Sequence, residues 1–197
     1  MGNTYISSDW HLNHTNIAGR KVSNWKTGYR DFDSVMEMNE TIIKTINNYV
    51  KWDDTLYFLG DLCFGGHRLT PNWRNRINCQ TFHWIRGNHD QRAFDYRNHF
   101  TSVQDYWQGN LAGYDFVLFH YAMRVWYGSH KGFYHAYGHS HSSLEHSPHG
   151  KSMDVGIDNA YRLTGEYRPF TIEEVVDILN KRKIEFVDHH SPETNVR

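Results

Sequence analysis

Short apolar runs rich in aromatic and β-branched residues recur along the chain, and most are closed by a cluster of polar residues. They predict strands at Thr4–Ser8, Thr55–Leu59, Thr81–Ile85, Ser102–Trp107, Phe116–Phe119, His135–Tyr137 and Met153–Ile157. Between the first two, Val35, Met38, Ile42, Ile46 and Tyr49 recur every three or four residues. That spacing predicts an amphipathic helix with Asp31 or Asp33 as its N-cap. A second helix is predicted where Thr171 and Glu174 form a capping box. Its apolar face is Ile172, Val175, Val176 and Leu179, and it ends at Lys181-Arg182-Lys183. Strands interrupted by helices early, then following one another after about residue 100, predict an α/β layered sandwich with mixed rather than purely parallel pairing. No repeat, low-complexity block or linker divides the chain. One domain over residues 1–187 is expected, with a polar tail over 188–197 that frays.

Composition removes several function classes. Hydrophobic residues are 39% and charged residues 22% of the 197, a globular balance that excludes a disordered or collagenous chain. No apolar stretch approaches the roughly 20 residues that cross a bilayer, so no membrane partner is expected. Two cysteines, Cys63 and Cys79, are too few for a disulfide framework, which favours a cytoplasmic location. The 21 Lys and Arg nearly balance the 22 Asp and Glu, so no global field draws the protein to nucleic acid. The unusual number is 15 histidines, because imidazole is the commonest transition-metal ligand.

Their placement is ordered. After successive apolar runs come Asp9-Trp10-His11, Gly60-Asp61, Gly87-Asn88-His89-Asp90, His120 and Gly138-His139-Ser140-His141. In α/β sheets the carboxyl ends of strands gather functional groups along one edge. Two divalent cations held there clamp the attacking and leaving oxygens of a phosphoryl group. Mixed carboxylate, amide and imidazole donors suit Mn²⁺, Fe or Zn²⁺ better than Ca²⁺.

These blocks, in this order, resemble the calcineurin-like metallophosphoesterase superfamily, and more narrowly its small single-domain bacterial and phage members. The resemblance spans residues 9–141. It implies an α-β-β-α sandwich with mixed β-sheets and a dimetal site at the strand C-terminal ends. By resemblance, Asp9, His11, Asp61 and His141 hold one metal, Asp61, Asn88, His120 and His139 the other, and Asp61 bridges them. Mn²⁺ is the first choice of metal, with Fe, Zn²⁺ or Ni²⁺ as alternatives. His89 is the catalytic histidine by the same resemblance, and Asp90 beside it is placed to orient the imidazole.

The remaining positions bear on substrate. His14 lies in a D-x-H-x-x-H-x-N-I stretch that resembles the same small members and is a candidate for substrate contact. Arg86 abuts the Gly87 block, and Arg124 and Trp126 follow His120 in an expected loop over the metals. The other histidines read as surface or packing residues. Asp154 and Asp158 read as turn and capping residues rather than a third metal site. Arginines and aromatics interleave between Arg68 and Arg97, which leaves nucleic acid open as a partner. Gly60-Asp61 continues as Leu62-Cys63-Phe64, not as the Asp-Arg-Gly of the superfamily's protein phosphatases, and the chain has no room for a capping domain. The expectation is a phosphodiesterase acting on small phosphodiesters or nucleotides through a metal-bridging hydroxide, faster on chromogenic diesters than on monoesters. The alternatives are a nuclease on DNA or RNA, or a non-catalytic metal-binding scaffold of the same fold. Oligomeric state is not readable from the sequence.

Overall fold

Alternation along the first three strands sends successive side chains into two different cores. In β1 (Thr4–Ser7), β2 (Thr55–Phe58) and β3 (Thr81–Ile85), Tyr5, Leu56, Phe58, Phe82 and Trp84 join one apolar cluster. Ile6, Tyr57, Leu59 and Ile85 join the other. The period of two in a strand makes this division, and a slip of one residue would exchange the faces. The protein is seen here in a computed structural model that describes residues 2–188 and 190. The expected tail 188–197 therefore falls largely outside the described residues.

One sheet has the order β4-β3-β2-β1-β9, where β4 is Ser102–Gln104 and β9 is Phe170–Thr171. Its first four strands are parallel, and β9 runs antiparallel to β1. The second sheet is β5 (Tyr106–Leu111), β6 (Tyr114–Phe119), β7 (Tyr134–Tyr137) and β8 (Ser152–Asp154), with β6, β7 and β8 parallel. The architecture is mixed α/β, with two mixed sheets and helices packed around them.

Besides the short helices α1 (Thr15–Ala18) and α3 (Thr70–Arg74), three longer ones complete the layers. Helix α2 (Val35–Tyr49) buries Met38, Ile42 and Ile46 against Leu56, Phe58 and Phe82. Truncating one such side chain, Ile42→Ala, is expected to cost about 2–5 kcal/mol. Helix α5 (Ile172–Leu179) carries the expected capping box, Thr171 with Glu174, and buries the expected apolar face. Helix α4 (Ile157–Thr164) follows β8.

Several local expectations are corrected. The cap of α2 is Ser34, whose hydroxyl accepts from the Glu37 amide, while Glu37 reaches back to the Asp33 amide; neither Asp31 nor Asp33 is the cap. The strand expected over Ser102–Trp107 is two strands, because the chain changes sheets at Asp105. The run Met153–Ile157 is strand only to Asp154, and Ile157 already begins α4. The β5–β6 hairpin turns through Ala112 and Gly113, both at positive φ. Alanine there lacks the Asn-Gly or Asp-Gly signal by which such turns are recognised.

Candidate metal centre

Parallel pairing puts the ends of β1, β2 and β3 on one edge, and the second sheet delivers the ends of β6 and β7 to the same place. Cross-connections lock them together. The Asp9 amide donates to Gly60 O, the Gly138 amide to His120 O, and Ser8 bridges Gly156. Asp9, His11, Asp61, His139 and His141 all have φ between 45° and 65°. Non-glycine residues in this left-handed region are uncommon and cluster where side chains are aimed for function. Two glycines make the close approach possible: a Cβ on Gly87 would meet Asp61 Oδ1 at 2.1 Å, and one on Gly138 would meet Ser8 Oγ at 2.0 Å.

Each of the two central carboxylates is half used. Asp9 Oδ2 accepts from Ser8 Oγ at 2.5 Å and from the His139 amide at 2.8 Å. Its Oδ1, by contrast, is buried without a hydrogen-bond partner among the described residues, and so is His11 Nε2. Asp61 Oδ1 accepts from the His89 amide at 2.9 Å, and its Oδ2 lies 3.7 Å from His11 Nε2, 3.6 Å from His120 Nε2 and 3.9 Å from His89 Nε2. Two groups of donors result, Asp9 with His11 and His141, and Asp61 with His120 and His139. Asn88 Oδ1 sits 2.9 Å from both His120 Nε2 and His139 Nδ1. His120 Nδ1 donates to Leu59 O at 2.7 Å, so its Nε2 presents a lone pair toward that amide oxygen. The orphaned Asp9 oxygen and His11 ring nitrogens, and the lone pair of His120 facing the Asn88 oxygen, are surroundings a divalent cation satisfies, so the donor set fits two of them.

The electrostatics agree. Burial, then the neighbouring charges of Asp9 and Asp90, push the Asp61 carboxyl up to about 8. Burial lowers His11 to about 4, leaving it neutral, the form that binds metal. For Asp9, burial opposes ionisation, but the imidazoles of His11, 3.5 Å away, His141 and His120 hold it well below the usual carboxylate range.

The other expected residues divide. Asp90 accepts no hydrogen bond from the His89 imidazole. Its carboxylate accepts from the amides of Asp61, Leu62 and Gly87 and from the Trp84 indole, so it ties two ligand loops together. Its charge still opposes the lowering of the His89 pKa that burial causes. His14 stacks on Phe64 at 3.8 Å and stands 5.7 Å from the His11 ring. Arg86 pairs with Asp105 at 2.6 Å and covers the Phe94 ring, at the edge of a cavity that also includes Asn88 and Tyr121. Arg124 is exposed, and its carbonyl accepts from His149. Trp126 is not placed for substrate: it is buried, donates to Phe133 O and packs on His135.

Of the basic segment, Arg74 bonds main-chain carbonyls and lies over Phe82, Arg76 pairs with Glu40, and Arg92 with Asp95. Phe82 and Trp84 are core. Arg68, Arg97 and Phe94 remain exposed, and the rest of the arginine and aromatic pattern is taken up within the protein.

Two functional neighbours escape sequence reasoning. Asp158 is not a helix cap. Its Oδ2 accepts from His141 Nδ1 at 2.6 Å, and its carboxylate holds both Nε and Nη2 of the buried Arg30. Arg30 in turn donates to the main-chain carbonyls of Asp9 and Trp10. Burial opposes the charge of Asp158, but Arg30 and His141 hold it far below the usual range, and the Asp158 hydrogen bond raises His141 against the effect of burial. No spacing rule joins residues 30, 141 and 158. Asp154 does act as a turn residue, accepting from Gly156, and also fixes Ser140 and Ser142 of the ligand loop.

Comparison with known proteins places residues 3–197 in the calcineurin-like phosphoesterase family. An uncharacterized protein of Methanocaldococcus jannaschii is 30% identical over 190 residues, covering 93% of this chain and 95% of that protein. Among solved structures, a protein of unknown function from Aquifex aeolicus has the same fold at a TM-score of 0.64 and 18% identity, over 90% of this chain and 100% of that one. A novel archaeal phosphodiesterase aligns at a TM-score of 0.46 and 18% identity, over 83% of this chain and 88% of its own, a likeness too weak to bear on activity.

Proposed function

Because the chain belongs to the calcineurin-like phosphoesterase family, we propose that it is a dimetal hydrolase working chiefly as a phosphodiesterase on small phosphodiesters or nucleotides. The observation that carries this reading is the free Oδ2 of Asp61, set between His11 on one side and His120 on the other. Asp9, His11 and His141 complete one cation site with Asp61, and Asn88, His120 and His139 complete the other. Mn²⁺ is the first metal to test, then Fe, Zn²⁺ and Ni²⁺. Divalent cations held there would supply Lewis acidity, activating water as a nucleophile and offsetting charge on the phosphoryl oxygens.

The chain's own residues do the rest. Asp9 and Asp61 keep their working oxygens aimed because Ser8 and the amides of His139 and His89 hold the other two. His89, exposed at the mouth and 3.9 Å from Asp61 Oδ2, gives the departing oxygen its proton from Nε2. Asp90 acts through position and charge, fixing the loop that carries His89. Arg76, Arg86 and Arg92 of the 68–97 segment are each spent on a carboxylate, which weakens the support for a nuclease. No ligand type is missing, which argues against a scaffold that has lost catalysis.

The test is protein purified without a chelating tag, assayed for bound metal and for hydrolysis of bis-p-nitrophenyl phosphate with Mn²⁺ or EDTA. Two metals per chain and EDTA-sensitive turnover, faster than on p-nitrophenyl phosphate, are expected. Metal-independent turnover, or two bound metals with no ester cleaved, would overturn the reading.

A further inference from the structure

Hydrolysis needs room on the far side of phosphorus from the attacking water, where the departing alcohol meets its proton donor. His89 marks that side, and a cavity of about 280 Å³ opens directly beside it, between the loop after Asp61 and the turn that carries His89. Its size is near the low end of small-molecule sites, about 300 Å³. Its floor includes the buried Trp84 and Ala93, and one wall is the ring of Phe64. Phe64 is held in place by His14, stacked at 3.8 Å, and its ring lies 4.5 Å from that of His89. Gly66 lines the same cavity and leaves it open, since a Cβ there would meet nothing within 4 Å. The rim is polar, with Gln91 and Arg92 exposed. The one carboxylate in the lining, Asp90, is buried and saturated by four donors, so it presents no free charge to an incoming ester.

We infer that this cavity is the leaving-group pocket and that it takes a nucleoside, which makes the preferred substrate a phosphodiester whose departing alcohol is a nucleoside hydroxyl. The inference rests on the phosphodiesterase reading above and adds the identity and orientation of one arm of the substrate. An aromatic wall with a polar rim suits a base and its sugar, since bases stack on side-chain rings whatever their sequence. Two other cavities reach the centre, one of about 300 Å³ beside His141 and lined by Tyr161 and Tyr167, the other of about 350 Å³ beside Asn88 and lined by Arg86 and Tyr121, and His89 lines neither of them. In the step itself the water oxygen forms the new P–O bond while the P–O bond to the nucleoside breaks. The bonding pair stays on the nucleoside oxygen, which takes a proton from His89 Nε2; of the water's two protons, one goes with the phosphate product and the other returns through solvent to His89.

Adenosine 5′-(methyl phosphate) separates the two orientations, because its two P–O ester bonds give different products. With adenosine in the His89 cavity the products are adenosine and methyl phosphate, read by chromatography and ³¹P NMR; in the reverse orientation they are AMP and methanol. The metal-loaded enzyme is expected to give adenosine and methyl phosphate. Phe64→Ala is expected to shift the product ratio toward AMP and methanol by roughly tenfold, the scale of base stacking. Phe64→Tyr should restore it. A ratio is insensitive to a general loss of folded enzyme. AMP and methanol from the native enzyme, or an unchanged ratio in Phe64→Ala, would overturn the inference. So would failure to cleave this ester while bis-p-nitrophenyl phosphate is turned over, an outcome that leaves the phosphodiesterase reading standing. If neither ester is cleaved in the presence of metal, both fall.

Discussion

The two candidate cation sites are backed in different ways. Behind His141, on the Asp9 side, stands a carboxylate, Asp158, which is itself clamped by the buried guanidinium of Arg30. Behind His120, on the Asp61 side, stands only a main-chain carbonyl, Leu59 O. The Asp9 group is buried except for a half-buried His141, whereas the Asp61 group includes the exposed His139. A charged backing raises the basicity of an imidazole ligand, and a neutral one chiefly fixes its tautomer. With cations at both groups, as proposed above, this difference would make the one near Asp9 the more tightly held and the one near the more exposed Asp61 group the more exchangeable. Chelator titration is expected to remove the metals in two steps, the Asp61-side cation first.

Asp61→Ala should abolish the contrast altogether, because both proposed cation sites would lose their bridging carboxylate. Metal content is expected to fall at both sites and kcat/KM by at least ~10³-fold, about 4 kcal/mol of barrier. Two fully retained metals would refute the bridge. His89→Ala should leave the contrast intact. Both metals stay, and kcat falls about 10²- to 10⁴-fold, as removal of a general acid does; full activity would remove His89 from its role. Asp158→Asn sharpens the comparison, since it keeps shape but discharges the backing of one ligand only. About a 10- to 100-fold loss of affinity is expected for the Asp9-side cation, with the other unchanged in the same titration. Equal loss at both sites would show that the two are not independently tuned.

The smallest effect separates acid release of metal from acid unfolding. His135 is buried in the second sheet, donates from Nδ1 to Val117 O and accepts at Nε2 from the Met123 amide, which pins the segment after His120. Burial lowers it to about 4 from 6.5. Below about 6.5 the unfolded chain takes up a proton that the folded one refuses. Its contribution to stability is therefore complete above that pH and is lost as pH falls through about 4, on the order of 2 kcal/mol by about pH 4.5. Melting curves of metal-free protein and His135→Gln across that window should differ in slope, with the variant flatter. Parallel slopes would mean that His135 is not the group responsible.

How much was legible can be judged from particular residues. Asp9, His11, Asp61, Asn88, His89, His120, His139 and His141 stood out because each follows a strand-like run, and parallel strands deliver their ends to one edge. The helix over Val35–Tyr49 and the Thr171–Glu174 cap were legible because periodicity and capping are local. The Ser34 cap was missed because aspartates nearby compete for the same role on composition alone. Trp126 was misplaced because adjacency to His120 in sequence says nothing about which way the following segment turns; it turns onto His135. Asp90 stands beside His89 in sequence, but in space its carboxylate is held by the amides of Asp61, Leu62 and Gly87 and the Trp84 indole, and only its charge acts on the imidazole.

By itself, then, the sequence determined the order of strands and ligand types, and with them the family and the class of chemistry. Only the tertiary structure decided that Arg30 and Asp158 stand behind His141, and that one oxygen of each central carboxylate is occupied and the other free. Only there, too, does a cavity open on the side of His89. Strand ends and caps follow from interactions a few residues apart, whereas the partners of a buried charge are chosen by what folding brings within 3 Å, across 128 positions of chain in the case of Arg30 and Asp158.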